Sequence, residues 1–159
     1  MHWKPSGTAP AEPQSYCPRS GTKCRTGSVV PAELSTCILR LAFVYGDGDP
    51  HLAEASNWAR TWPATKKLQM VHHADVAQAV RLAIDKPAAA GTLYNVADDE
   101  PVSAADILRL NGLVVTEEAM QLVPEDPWEG VVDTARIRNE LGFRAIYRSV
   151  DAAQEAGAL

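Results

Sequence analysis

Cysteine is scarce in this sequence, basic runs are missing, and no apolar stretch is long. The three cysteines, Cys17, Cys24 and Cys37, match no zinc-ligand spacing. An odd number of thiols is expected to stay reduced, as in the cytoplasm, with a Cys17–Cys24 disulfide as the alternative. The net charge is −5, and aromatic residues are not interleaved with Lys or Arg. That pattern argues against nucleic acid as a partner. No apolar segment approaches a membrane span, and the first residues, MHWKPSGTAP, lack the apolar core of a secretion signal. What is present is 46% hydrophobic and 22% charged residues in a chain of 159, the composition of a globular domain with a real core.

Residues 1–35 stand apart. Pro5, Pro10, Pro13, Pro18 and Pro31 alternate with Gly7, Gly21 and Gly27. Proline removes backbone donors and glycine weakens helices, and no period of two or 3.6 emerges. This segment is expected to be irregular or disordered and open to proteolysis. Residues 36–159 read as an α/β domain. The run Ile38–Val44 is apolar except at Arg40, as in a strand covered on both faces of a parallel sheet. Helix is expected from Leu52 to Trp62 and strand from Leu68 to His72. A further helix follows, capped by Asp75 with Gln78 three residues on, its apolar face formed by Val76, Ala79, Val80 and Ala83. Strand follows at Thr92–Ala97, then a short helix capped by Ser103 with Asp106 at its third position. Residues 123–130 read as loop. Asp133 or Thr134 opens a helix, Ala135–Leu141, that stops at Gly142 with Phe143 packing back. Ser149 caps a last helix, Val150–Ala156. The alternation of strand and helix is the rhythm of an α/β sheet.

The polar groups offer few chemical candidates. His72, His73 and Asp75 could suggest a metal, but adjacent residues on a strand point to opposite faces. They are read as a strand end, with no metal. Asp98, Asp99 and Glu100 read as a solvated acidic turn, and Arg136 and Arg138 as solvent-facing helix residues. No Ser/His/Asp nucleophile set is visible.

Four segments, in order, resemble one family. ILRLAFVYGDGD (from Ile38), VHHADVAQAVRLAI (from Val71), GTLYNVADDEPVSAADIL (from Gly91) and VDTARIRNELGF (from Val132) are similar to the late strands and helices of the extended short-chain dehydrogenase/reductases, the NAD-dependent epimerase/dehydratase group. The resemblance implies a partial Rossmann-like, doubly wound sheet, specifically its C-terminal, substrate-side portion. It places Val44 and Tyr45 beside the nicotinamide, and Phe43 and Gly46 against substrate, because ligands of open α/β sheets sit at the carboxyl ends of strands. Phe43 and Tyr45 can equally be ordinary core aromatics. In many sugar-nucleotide members an asparagine stands where this sequence has Phe43, which cannot make the same hydrogen bond.

Two family features are missing. The glycine-rich turn that holds the dinucleotide pyrophosphate does not occur; Gly46 and Gly48 stand in an acidic loop with Asp47 and Asp49, which repels phosphate. The Tyr-x-x-x-Lys pair is absent too. Tyr16 is the one candidate for its tyrosine, yet Ser20 stands where lysine should, and Lys23 is the nearest lysine. The expectation is therefore a fragment of an NAD(P)-dependent epimerase/dehydratase or oxidoreductase, inactive alone and without bound NAD or NADP. A shifted frame or truncation upstream of about Cys37 would produce it, and the upstream DNA tests that. The alternatives are a non-enzymatic small-molecule-binding or regulatory protein of the same fold, or an unproductive gene remnant. Exposed strand edges would favour self-association.

Overall fold

The computed structural model describes residues 36–159 together with Thr22, Lys23, Val29 and Val30. The chain divides into two units, Met1–Thr36 and Cys37–Leu159. In the first, β1 (Thr22–Lys23) and β2 (Val29–Val30) pair antiparallel, with Thr22 opposite Val30. They are regular elements within a segment read as mostly irregular. Tyr16, Cys17 and Cys24, and the rest of that reading, lie outside the described residues.

In the second unit the apolar run yields two strands, β3 (Cys37–Leu41) and β4 (Phe43–Tyr45). The break is a change of partner. β3 runs parallel to β7 (Thr92–Val96), Cys37 beside Thr92 and Leu41 beside Val96. Ala42 N–H still donates to the Val96 carbonyl, whereas Phe43 N–H donates to the Gln69 carbonyl. From there β4 runs parallel to β6 (Met70–His72). The next carbonyl, that of Met70, accepts from Asp98 N–H. Successive carbonyls of a strand face opposite edges, so β6 is wedged between β4 and the chain leaving β7. β5 (Lys67–Leu68) pairs antiparallel with β8 (Val102–Ser103). β3 is not covered on both faces as expected: Cys37, Ile38 and Leu39 are half-buried, and Arg40 and Leu41 are exposed.

Helices flank these ladders. α1 is His51–Ala59, α2 His73–Asp85, α3 Ala104–Leu110, α4 Glu117–Gln121, α5 Ala135–Glu140 and α6 Val150–Glu155. α4 was not foreseen; Thr116 caps it by accepting from Ala119 N–H. Ser103 and Asp106 form the expected capping box, and Ser149 caps α6. Gly142 takes φ +73° and the buried Phe143 folds back, its N–H donating to the Ile137 carbonyl. α2 differs from its reading in two ways. It starts three residues earlier, with His72 as its cap, and its buried side runs through Asp75 and Ala79 while Val80 is exposed.

The alternation along β6 separates two apolar cores. Met70 packs with Tyr45, Ala55, Ile107 and Val150, and Val71 with Ala79, Tyr94, Ile137 and Phe143. At roughly 25 cal/mol per Å2, these buried apolar side chains supply the main stabilising term of the fold. Among the described residues no helix is long and apolar enough to cross a membrane.

Candidate functional site

β4 and β6 end side by side at Tyr45 and His72, and this carboxyl end gathers the polar groups. Tyr45 is fully buried, and its hydroxyl donates to Asp98 Oδ2 at 2.8 Å. His72 N–H donates to Asp98 Oδ1 at 3.2 Å, and Gln69 Nε2 donates to the Asp98 carbonyl. Asp98 is thus no solvated turn residue: it is 2% exposed and ties β4, β6 and the exit of β7 together. Burial pushes its carboxyl up to about 7, against the lowering effect of the Tyr45 hydroxyl and the His72 amide. Burial, followed by the Asp98 carboxylate, also holds the Tyr45 hydroxyl far above its ordinary value.

His72 closes the strand and opens the helix. Its Nδ1 accepts from Ala74 N–H at 3.1 Å, so the ring proton sits on Nε2, which donates to the Ala158 carbonyl at 2.9 Å. The reading of His72 and His73 as pointing apart fails here. The strand ends at His72 and the helix begins at His73, so strand alternation does not extend across the pair, and their ring centres lie 4.4 Å apart. Among the described residues no cluster of three or more His, Cys, Asp or Glu could hold a metal. His73 covers Gly46. A Cβ on Gly46 would overlap the His73 ring and come within 2.9 Å of His72 Nε2.

Asp75 does not cap α2. Its carboxylate reaches across to accept from Ile146 N–H at 2.6 Å and Tyr147 N–H at 3.1 Å. Burial raises its carboxyl, and those two amides oppose the rise. Asp99 behaves in the opposite way. Burial alone would raise it, but Arg148 at 2.8 Å and Arg138 at 2.6 Å hold it below the usual carboxylate range. Arg138 is therefore a half-buried ion-pair partner and no simple solvent-facing residue, whereas Arg136 is exposed and pairs with Glu140.

The remaining sequence candidates fall close by. Phe43 and Val44 are half-buried. The Phe43 ring meets His51 and Trp58 edge-on, with centres 5.3 and 5.4 Å away. Gly46 leads into the acidic loop, where Asp49 Oδ1 accepts from His51 N–H and lies 2.8 Å from His51 Nδ1. Sequence reasoning missed Asp98 and Asp75, whose partners lie 53 and 71 residues away along the chain.

No protein-family model and no curated protein matches this sequence. Solved structures do. A short-chain dehydrogenase/reductase superfamily protein from Agrobacterium tumefaciens, with bound NAD, superposes with a TM-score of 0.53 at 24% identity. The match covers 79% of this chain and 50% of that one. The described fold is that of part of a short-chain dehydrogenase/reductase. The enzyme WbmF of Bordetella bronchiseptica, in complex with NAD+ and UDP, matches with a TM-score of 0.53 at 18% identity over 78% of this chain and 46% of its own. The UDP-glucose 4-epimerase of Thermotoga maritima, with UDP-glucose, matches with a TM-score of 0.50 at 16% identity over 77% and 47%. The chain thus spans about half the length of these solved structures.

The described residues do not fit the phosphates of a dinucleotide. A pyrophosphate hold needs free amides and no negative charge at a helix N-terminus. α1 and α2 are the long helices here. At the first, the Asp49 carboxylate stands just ahead of the helix and already accepts from the His51 amide; at the second, His72 Nδ1 accepts from the Ala74 amide. The Tyr45 hydroxyl is engaged by Asp98, and Gly46 lies beneath His73.

Proposed function

We propose that this chain is the substrate-end portion of an NAD(P)-dependent oxidoreductase or epimerase of the short-chain dehydrogenase/reductase type, and that on its own it neither holds the dinucleotide nor turns over substrate. The observation that carries the reading is the paired ending of the parallel strands β4 and β6 at Tyr45 and His72, with the Gly46–Pro50 loop and the start of α2 directly beyond. Ligands of such sheets lie outside the carboxyl ends of their strands. Val44 and Tyr45 would face the nicotinamide through backbone groups, since the Tyr45 side chain is buried. Phe43 and Gly46 would border the substrate.

When bound in the whole enzyme, NAD or NADP supplies hydride transfer. The residues of this chain shape the end of the site. Phe43, packed between His51 and Trp58, offers an apolar border with no hydrogen-bonding group. Asp47 and Asp49 make the adjoining loop negative. Both features favour a substrate less polar and less anionic than a sugar nucleotide.

The test is calorimetry or ligand-observed NMR on the purified chain with NAD and with NADP. One or two net hydrogen bonds from backbone near Val44 and Tyr45 contribute about 1 kcal/mol each, which does not offset the cost of immobilising the ligand. Affinity no tighter than about millimolar, roughly −4 kcal/mol, is expected. Micromolar affinity for either dinucleotide would overturn the proposal.

A further inference from the structure

The 111–133 segment, between α3 and α5, takes no part in the proposed reaction. It holds six acids (Glu117, Glu118, Glu125, Asp126, Glu129 and Asp133) and no Lys or Arg, which more than accounts for the chain's net charge of −5. All six are exposed. Among the described residues only Glu129 of the six has an ion-pair partner, Lys66 Nζ at 2.8 Å. Asp126 and Asp133 accept from nearby backbone amides, which leaves their charge in place. Between these acids stand large apolar side chains that the fold leaves uncovered. They are Met120, Leu122, Val123 and Trp128, the last two 82% and 68% exposed.

Both parts of this surface are fastened to one stretch of backbone. Ala64 N–H donates to the Ala119 carbonyl of α4 at 2.8 Å, and Gln69 N–H donates to the Gly130 carbonyl at 3.0 Å. Five residues span at most about 17 Å, so α4 and the 128–130 turn lie near each other. The turn is firmly held. Asp126 Oδ1 accepts from Trp128 N–H, and the Trp128 carbonyl accepts from Val131 N–H at 3.0 Å. Gly130 packs so closely that a Cβ there would come within 2.8 Å of the Lys67 carbonyl oxygen. Trp128 is thus displayed on a fixed backbone, and little backbone entropy remains to be lost when a partner covers it.

Charge decides what that partner is. An isologous contact between two copies would set six acids against the same six, and like charges across an interface weaken it. The phosphates of a nucleic acid or of an anionic membrane are repelled in the same way. A helix with apolar residues at i, i+3, i+4 and i+7, flanked by Lys and Arg, matches both the apolar centre and the acidic border. Met120 can adapt its shape to such apolar anchors. We propose that the 117–133 surface docks a basic amphipathic helix of another protein. This interaction goes beyond the substrate-end reading and does not depend on it.

The probe is a designed helical peptide of about 14 residues, with Leu at the apolar positions and Lys on the flanks. The same peptide with Glu in place of Lys is the control. Calorimetry at low salt should show the Lys peptide binding at least about tenfold tighter than the Glu peptide. Its affinity should fall about tenfold in Trp128→Ala and about tenfold in the triple variant Glu117→Lys, Glu118→Lys, Glu125→Lys. It should fall less than about threefold in Glu54→Lys, Asp85→Lys, Glu155→Lys, which reverses three exposed acids elsewhere. A thermal melt checks that each variant folds; should Trp128→Ala not fold, Val123→Ser takes its place. Four results would each overturn the proposal. The first is equal loss in the two triple variants, since binding would then track net charge alone. The second is a Glu peptide that binds as well as the Lys peptide. The third is self-association that Trp128→Ala abolishes, which would give the face to a second copy. The fourth is an affinity that rises about tenfold when Lys4, Arg19, Lys23 and Arg25 are all changed to Gln, which would give the face to the chain's own first residues.

Discussion

Gly46 shows how one residue is fixed by neighbours that its local sequence does not reveal. Its φ of +149° lies where side chains are disfavoured, and both histidine rings lie in the space a Cβ would occupy. Gly46→Ala should therefore cost about 2–4 kcal/mol through overpacking and backbone strain, read as a lower urea midpoint at unchanged m-value. Gly48, where a Cβ would meet nothing within 4 Å, is the control, and its alanine variant should lose less. Equal losses at the two positions would show that the histidines give way freely. The sequence showed a glycine and two histidines near a strand end, but not that they meet. Asp98 was hidden for the same reason. Three acids in a row read as a wet turn, and only the fold brings in Tyr45, 53 residues away.

Elements set by neighbouring residues were legible, and elements set by distant ones were not. Ser103 with Asp106, and Ser149 before α6, carry their caps within one turn, and both helices were read. The division of β3 from β4 comes from a change of ladder partner at Ala42, which no local pattern records. The start of α2 was misplaced because Asp75 looks like a cap from the sequence. In the fold it is the acceptor that holds the 146–147 backbone against the first turn of α2. Asp75→Ala leaves two amides without an acceptor and should cost about 2–4 kcal/mol. Asp75→Asn keeps one acceptor oxygen and should cost less. The check is chemical denaturation of both variants at one pH. Alanine and asparagine variants of equal stability would mean that water replaces the carboxylate at no loss.

At the scale of the whole molecule, the α/β rhythm and the family resemblance led to the fold that the solved structures share. What they could not supply was how far β3 is covered. Among the described residues it is paired on one edge only, with Leu41 44% exposed. Such an edge recruits other chains, although a charged residue such as Arg40 blunts it. Sedimentation at rising concentration should show self-association, and a monomer throughout would contradict it. The change of partner at Ala42 also has a consequence for the order of folding. β4 and β6 close a loop of 27 residues (Phe43 to Met70), while β3 and β7 close one of 55 (Cys37 to Thr92). Doubling a loop adds about 0.6 kcal/mol of closure entropy, so the β4–α1–β6 unit should nucleate and β7 should dock afterwards. Val71 and Val96 make a matched pair, both fully buried in one core. Val71→Ala should slow folding with a high φ-value, and Val96→Ala should mainly speed unfolding. The reverse ranking would mean that the longer loop closes first, and that the chain is assembled from its outer ladder inward.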